Sequence, residues 1–181
     1  MSSAKIIWRN RLIGLVLAGV IFVIDQWIKV QMVDVLKLPQ VGSIEIVSFF
    51  NLTYAENYGI SLGMLTATSM EMRWLLIALT SGIALVVFVW MLREKLLGEI
   101  AALGLVLGGA LGNILDRMNN GFVVDYADLH FGEFRPFLIF NLADAAISIG
   151  VLIILARSFL SREKHDEPAS LDEPAQAATE S

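Results

Sequence analysis

The residues of this sequence that could do chemistry are carboxylates and asparagines set inside or beside long apolar runs. Asp144 is the one charge within the run from Phe137 to Ala156, and Asn141 stands three positions ahead of it on the same helical face. Read as one helix from the start of that run, Asp144 lies about seven residues in, roughly 10 Å along at a rise of about 1.5 Å per residue. Asp125 sits in a second apolar stretch, Gly121-Phe122-Val123-Val124-Asp125-Tyr126. A carboxylate in hydrocarbon costs about 2.5–3.5 kcal/mol on insertion scales, so it is kept for a task or a partner. Two carboxyls held close cannot both ionise, and a pair sharing one proton supplies a base for water and an acid for an amide. That is peptide hydrolysis without a metal or a covalent intermediate. The other reading is a helix-packing hydrogen bond among Asn113, Asn141 and Asp144, although an asparagine would serve there without the cost of a charge. Spacing along the chain does not by itself bring Asp125 to Asp144.

Further polar groups cluster at corresponding ends of the apolar runs: Asp25 with Lys29, Asn57 within Glu56-Asn57-Tyr58-Gly59, and Gly112-Asn113-Ile114-Leu115-Asp116-Arg117. Asp116 beside Arg117 is expected to form a local ion pair or to orient the loop that follows, because an unpaired buried guanidinium is costly. Asp25 reads by itself as an interfacial helix end. Asp128, Glu133 and Arg135 read as solvated loop charges. The chain has no cysteine and only His130 and His165, which leaves little from which to build a metal site or a Ser–His–Asp arrangement. No metal and no cofactor are expected. No basic run suggests nucleic acid.

The elements that position these groups follow from composition. Of 181 residues, 56% are hydrophobic and 17% charged, with a mean hydropathy of +0.69, and the apolar residues come in runs long enough to cross a bilayer. Four transmembrane helices are predicted, at about 12–28, 74–92, 97–115 and 137–157, of which Trp74 to Leu92 holds 19 residues without a charge. In the third, Gly104, Gly108 and Gly112 recur at every fourth position, a face on which a second helix can approach closely. Basic residues gather before span one (Lys5, Arg9, Arg11), between spans two and three (Arg93, Lys95) and after span four (Arg157, Arg162, Lys164). An even number of spans puts all three groups on one side, which predicts that both termini are cytoplasmic. Val30 to Arg73 and Met118 to Pro136 then face outward. Between spans one and two, Ile44, Ile46, Phe50, Leu52 and Tyr54 share one side of a period-two pattern and predict a small β element on the outer membrane surface. The expected fold is an all-α integral membrane bundle with that β element, one domain over residues 1–161. The net charge of −5 owes much to the tail, 162–181, whose Asp, Glu, Pro, Ala and Ser predict a disordered cytoplasmic segment. Trp8, Trp27, Trp74 and Trp90 fit interfacial belts.

The ordered set Asp25…Lys29, Asn57-Tyr58-Gly59, Gly112-Asn113-Ile114-Leu115-Asp116-Arg117, Val123-Val124-Asp125-Tyr126 and Phe140-Asn141-Leu142-Ala143-Asp144 resembles bacterial lipoprotein signal peptidase, from about Leu12 to Ala156. The resemblance implies an aspartyl membrane endopeptidase with catalytic Asp125 and Asp144. It implies supporting or substrate-binding roles at Asp25, Lys29, Asn57, Gly59, Asn113, Arg117 and Asn141. It implies substrates that are diacylglyceryl-modified prolipoproteins, cut on the amino side of the lipidated cysteine. A monomer in contact with membrane lipid is expected, in the bacterial inner membrane, with its active site facing the periplasm. One departure stands out: the family pattern Gly-Ala-Ala-Phe reads Gly59-Ile60-Ser61-Leu62 here, which bears on the shape of the substrate cradle.

Two other classes compete. A proton-coupled transporter or channel also uses intramembrane aspartates, but it predicts polar residues in both halves of the membrane and often internal repeats. Here the polar motifs gather at one side and no repeat is visible. A purely structural membrane subunit predicts that Asp-to-Asn changes are tolerated.

Overall fold

The computed structural model describes residues 3–60, 65–66 and 70–163. Ser61 and Leu62 of the departing motif lie outside them, as does most of the acidic tail. Four long helices dominate: α1 (Ser3–Val30), α3 (Met70–Arg93), α4 (Leu97–Asn119) and α5 (Leu142–Glu163). Each is long and apolar enough to cross a bilayer. Large apolar side chains such as Val16, Val86, Leu152 and Phe159 stand exposed on their outer faces. That is the surface hydrocarbon solvates, while every backbone amide within a span is satisfied along its own helix.

The bundle is arranged around α4, which packs against α1, α3 and α5. A Cβ at Gly104 would lie 2.7 Å from the Gly14 carbonyl oxygen, and one at Gly108 would lie 2.5 Å from that of Ala18. The predicted small-residue face is therefore where α1 and α4 meet backbone to backbone. Lipid provides no hydrophobic drive between helices, so contact at this range supplies the dispersion that holds them. On the other side of α4, a Cβ at Gly109 would collide with the carbonyl of Ala143 in α5. Between the helices lies a core of Ala18, Ala84, Met91, Ile100, Leu103, Leu107 and Ile114. At the end of the bundle that holds the N-terminus, Asn10 Nδ2 donates to the Lys95 carbonyl at 3.1 Å and Arg157 Nε to Glu99 at 2.7 Å.

The other end carries the β structure. Helix α1 runs on through a π-helical turn, Gln31–Val35, into the four-residue α2 (Leu38–Val41). A hairpin of β1 (Ser43–Val47) and β2 (Phe50–Asn57) follows, then the short pair β3 (Gly59–Ile60) and β4 (Leu65–Thr66). The third strand of the larger sheet, β5 (Val123–Leu129), comes from the connection between α4 and α5 and pairs antiparallel with β2. Ile44, Phe50, Leu52 and Tyr54 pack as the period-two pattern predicts, around Leu38, Tyr126 and Ala127. Ile46 does not: the register shifts between Glu45 and Val47, and Ile46 is turned out to 53% exposure.

Two expectations need correction. Helix α5 begins at Leu142, not at Phe137, because Phe140 forms an isolated bridge with Ala127 of β5 and the residues before it run as an irregular, non-helical segment. Asp144 consequently lies in the first turn of its helix, only about 3 Å along at a rise of about 1.5 Å per residue. Asp128 is no solvated loop charge either. It is 1% exposed, accepts from Thr53 Oγ1 at 3.2 Å and pairs with Arg135 at 3.0 Å.

The glycine contact gives a direct test. Gly108→Leu forces α1 away from α4 and should destabilise the bundle by about 1–3 kcal/mol, the usual cost of overpacking. Thermal unfolding in a fixed detergent reads this, and a wild-type midpoint would contradict the close approach.

Candidate active site

The buried polar side chains at the sheet-bearing end converge on two carboxyls. Asp125 is held by β5, opposite Ala55 of β2, and is 2% exposed. Asp144 is held by the first turn of α5 and is half-buried. Between them stands Asn141, fully buried. Its Nδ2 donates to Asp125 Oδ1 at 2.6 Å, and its Oδ1 accepts from the Asp144 N–H at 2.9 Å. Asp144 Oδ2 in turn accepts from the Asn141 N–H at 3.4 Å. That reciprocal pair is a capping box, with Asn141 as N-cap and Asp144 at the third helical position. The negative carboxylate also sits where the helix dipole favours it.

The remaining N–H groups of the first turn are satisfied from other elements, as a buried helix start requires. Leu142 donates to the Tyr126 hydroxyl at 3.1 Å, and Ala143 to Asp25 Oδ1 at 3.0 Å. Burial, before any neighbour, pushes the Tyr126 phenol up to about 12, so it stays a neutral hydroxyl able to accept that bond.

Each carboxyl takes a further asparagine. Asn113 Nδ2 donates to Asp144 Oδ1 at 2.7 Å, and Asn57 Nδ2 donates to Asp125 Oδ2 at 3.1 Å. The Gly59 N–H closes on Asn57 Oδ1 at 3.1 Å and fixes that amide. Behind Asn113 lies Lys29 of α1, 4% exposed, donating to Asn113 Oδ1 at 3.3 Å and paired with Asp25 at 2.7 Å and Asp116 at 2.9 Å. A Cβ at Gly112 would lie 2.6 Å from Asp25 Oδ2, so the third glycine of the repeat makes room for this carboxylate rather than for a backbone.

Of the residues singled out in the sequence, Asp25, Lys29, Asn57, Gly59, Asn113, Asn141, Asp125 and Asp144 are brought into one connected network. Arg117 lies apart from it. Its guanidinium is buried within electrostatic reach of Asp144 and Asp125, and its Nε has no partner among the described residues. The expected Asp116–Arg117 ion pair does not form, because the side chain of Asp116 turns toward Lys29 and toward the Val124 N–H, at 3.1 Å. Gln26 and Tyr126 are members to which sequence reasoning gave no part, and Asp116, read there beside Arg117, joins the network through Lys29 and the Val124 N–H. The signal for Asp116 was present: it follows Asn113 by three positions and shares its helix face.

These features also mark relationships to known proteins. A sequence profile described as Signal peptidase (SPase) II matches residues 17–160, a stretch that holds both carboxyls together with Lys29, Asn57, Asn113, Arg117 and Asn141. The chain belongs to the signal peptidase II family. As a member of it, the protein is a multi-pass membrane peptidase of the aspartic type. It is 52% identical over 164 residues to the lipoprotein signal peptidase of Sphingopyxis alaskensis, covering 91% of this chain and 94% of that one. It is 49% identical over 154 residues to that of Rhizorhabdus wittichii, covering 85% and 90%. A solved bacterial membrane enzyme structure superposes with a TM-score of 0.73 at 26% identity, covering 87% of this chain and 93% of the other. A second reaches 0.68 at 29% identity, covering 80% and 91%.

In this signal peptidase II family member, burial first and the charge of Asp144 second push the Asp125 carboxyl up to about 7, against hydrogen bonds from Asn57 and Asn141 and the charge of Lys29. Asp125 thus keeps a proton below about pH 7 and loses it above. The Asn57 bond favours the ionised form, so Asn57→Ala should move this titration to higher pH. The protonated-carboxyl stretch in infrared difference spectra follows it, and an unmoved or lowered midpoint would show that Asn57 does not face the charge.

Proposed function

We propose that the chain removes signal peptides from diacylglyceryl-modified prolipoproteins, with Asp125 and Asp144 as the catalytic pair. The single observation that carries the assignment is that Asn141 ties both carboxyls, through its side chain to Asp125 and through its backbone to Asp144, at one end of a membrane bundle. In the reaction so read, one aspartate is ionised and takes a proton from the attacking water, while the other gives its proton to the departing amide nitrogen. Each carboxyl oxygen accepts one hydrogen bond, from Asn141 and Asn57 on Asp125 and from Asn113 and the Asn141 N–H on Asp144, and has a second lone pair for the reaction.

The substrate class rests on the relatives, which carry the name lipoprotein signal peptidase. Cleavage on the amino side of the lipidated cysteine fits the depth of the site. Asp144 lies at the very start of its span, close to the interface between acyl chains and water. A peptide without lipid would bring unpaired backbone groups to that layer at several kcal/mol each. Each buried methylene of a diacylglyceryl group contributes about 0.8 kcal/mol to anchoring, so the lipid fixes the scissile bond at the level of the carboxyls.

The sidedness we propose is an inner membrane protein with both termini cytoplasmic and the carboxyls facing the periplasm. It is supported by Lys5, Arg9, Arg11, Arg93, Lys95 and Arg157 collecting at the bundle end remote from the sheet. The protein is read as a monomer, with residues 1–161 as one peptidase domain and 162–181 as a tail.

Asp125→Asn and Asp144→Asn keep shape and most hydrogen bonds but remove the shared proton. Each should lower kcat on a lipidated prolipoprotein by about 10²–10⁴-fold or more, the usual worth of general acid–base catalysis, with a melting temperature near wild type. Substantial turnover by either folded variant would remove the pair from the mechanism. Reporter fusions after Ser161 and between Arg93 and Lys95 should read cytoplasmic, and fusions near Gln40 and Gly132 periplasmic. A cytoplasmic signal at either of the latter would put the site on the wrong face. Precursor with diacylglycerol should be cleaved and the same precursor without it should not. Equal rates on both would leave the lipid no part in positioning.

A further inference from the structure

Lys29 touches neither Asp125 nor Asp144, yet its partners reach both. Asp25 binds the ammonium through Oδ2 and accepts the Ala143 N–H through Oδ1 at 3.0 Å. Asp116 binds it through Oδ2 at 2.9 Å and accepts the Val124 N–H on the same atom at 3.1 Å. Ala143 and Val124 are the residues immediately before Asp144 and Asp125. A third arm runs from Lys29 to Asn113 Oδ1 at 3.3 Å and on from Asn113 Nδ2 to Asp144 Oδ1 at 2.7 Å. Gln26 Nε2 bridges the two acidic arms, 3.2 Å from Asp25 Oδ2 and 3.0 Å from Asp116 Oδ1, and also donates to the Gly112 carbonyl at 3.2 Å.

We propose that Lys29, Asp25 and Asp116 form a positioning device that sets the separation of Asp125 and Asp144 by holding, from one buried cation, the backbone just ahead of each. The inference rests on the reading of those two aspartates as the catalytic pair. Its physical content lies in the origin of the two arms. Asp125 arrives on a strand and Asp144 on a helix, and the backbone amide ahead of each is bonded to a carboxylate of a different helix, α4 for one and α1 for the other. Without a common partner those carboxylates would repel each other and move apart. The ammonium joins them, and because it can only donate, it also turns the Asn113 oxygen toward itself and the Asn113 amino group toward Asp144.

A buried ion pair kept only for folding would make the same contacts, so the test must separate position from stability. In Lys29→Gln/Asp116→Asn, two carboxylates and one ammonium become one carboxylate, so the buried net charge is unchanged and the replacements are of similar shape. The full-length variant, purified in detergent and assayed on a lipidated prolipoprotein, should keep a melting temperature near wild type and an unchanged KM. Its kcat should fall about 10- to 100-fold, as displacements of about 1 Å at a reacting pair do. The alkaline limb of its pH profile should also move upward, because the Lys29 charge favours ionised Asp125. A folded double variant with wild-type kcat and an unmoved alkaline limb would overturn the proposal. Should the double variant fail to fold, Asp116→Asn alone decides. It keeps the Lys29–Asp25 pair and an acceptor for Val124; the same fall in kcat at unchanged KM supports the proposal, and a wild-type kcat in the folded variant overturns it. Asp125→Asn and Asp144→Asn, run alongside, keep the two readings apart. If those are inactive while the Lys29 and Asp116 variants are normal, only the positioning device falls.

Discussion

Backbone-to-backbone contact along α4 is the constraint on which the rest of the molecule depends. Gly104 and Gly108 let α1 lie against one side of it, and Gly109 lets the start of α5 lie against the other. With side chains at those positions, Asp25 on α1, Asn113 and Asp116 on α4, and Asp144 on α5 would stand several ångströms further apart. None of the hydrogen bonds that link them would close. The polar network at this end of the bundle is thus an electrostatic consequence of a steric economy made two turns of helix away.

Dense packing of charge in a dry place demands full pairing, and this end of the bundle comes near to it. Asp25, Lys29, Asp116, Asn113 and Asn141 are each 8% exposed or less, and each has partners on more than one element. Low local dielectric strengthens such contacts and makes any gap in them costly. Arg117 is the exception, with a buried Nε lacking a partner among the described residues. The same side chains do double service, since Asn141 caps a helix and holds the Asp125 carboxyl, and Asp144 is both a member of that cap and the acceptor for Asn113.

The helices were legible in the chain because a bilayer imposes length and composition directly on sequence, and Trp74 to Leu92 could hardly be anything else. The residues of the site were legible too, since Asp125 and Asp144 are conspicuous in apolar company. Their meeting was not, because it depends on a strand, β5, whose partner β2 lies before two intervening spans. The start of α5 differs for a related reason: hydropathy from Phe137 onward reads as a continuous helix, and the tertiary bridge between Phe140 and Ala127 holds Phe140 out of it. Asp116 was assigned to its neighbour Arg117 by adjacency. On a helix, adjacent side chains diverge, and the partner that Asp116 takes lies across the interface on α1. Asp128 was misjudged because a loop charge with an arginine seven residues on carries no mark of burial.

The β2–β5 pairing has a bearing on how the protein comes into being. Strand β2 follows the first span and is made early, whereas β5 follows the third. The hairpin must therefore wait at the membrane surface while α3 and α4 are synthesised and inserted. Asp125 gains its Asn57 partner only when the strand carrying it arrives. Asn141 and Asp144 come later still, with the last span. A chain caught partway through biogenesis holds one of the two carboxyls or none in place, so the paired arrangement exists only in the finished protein.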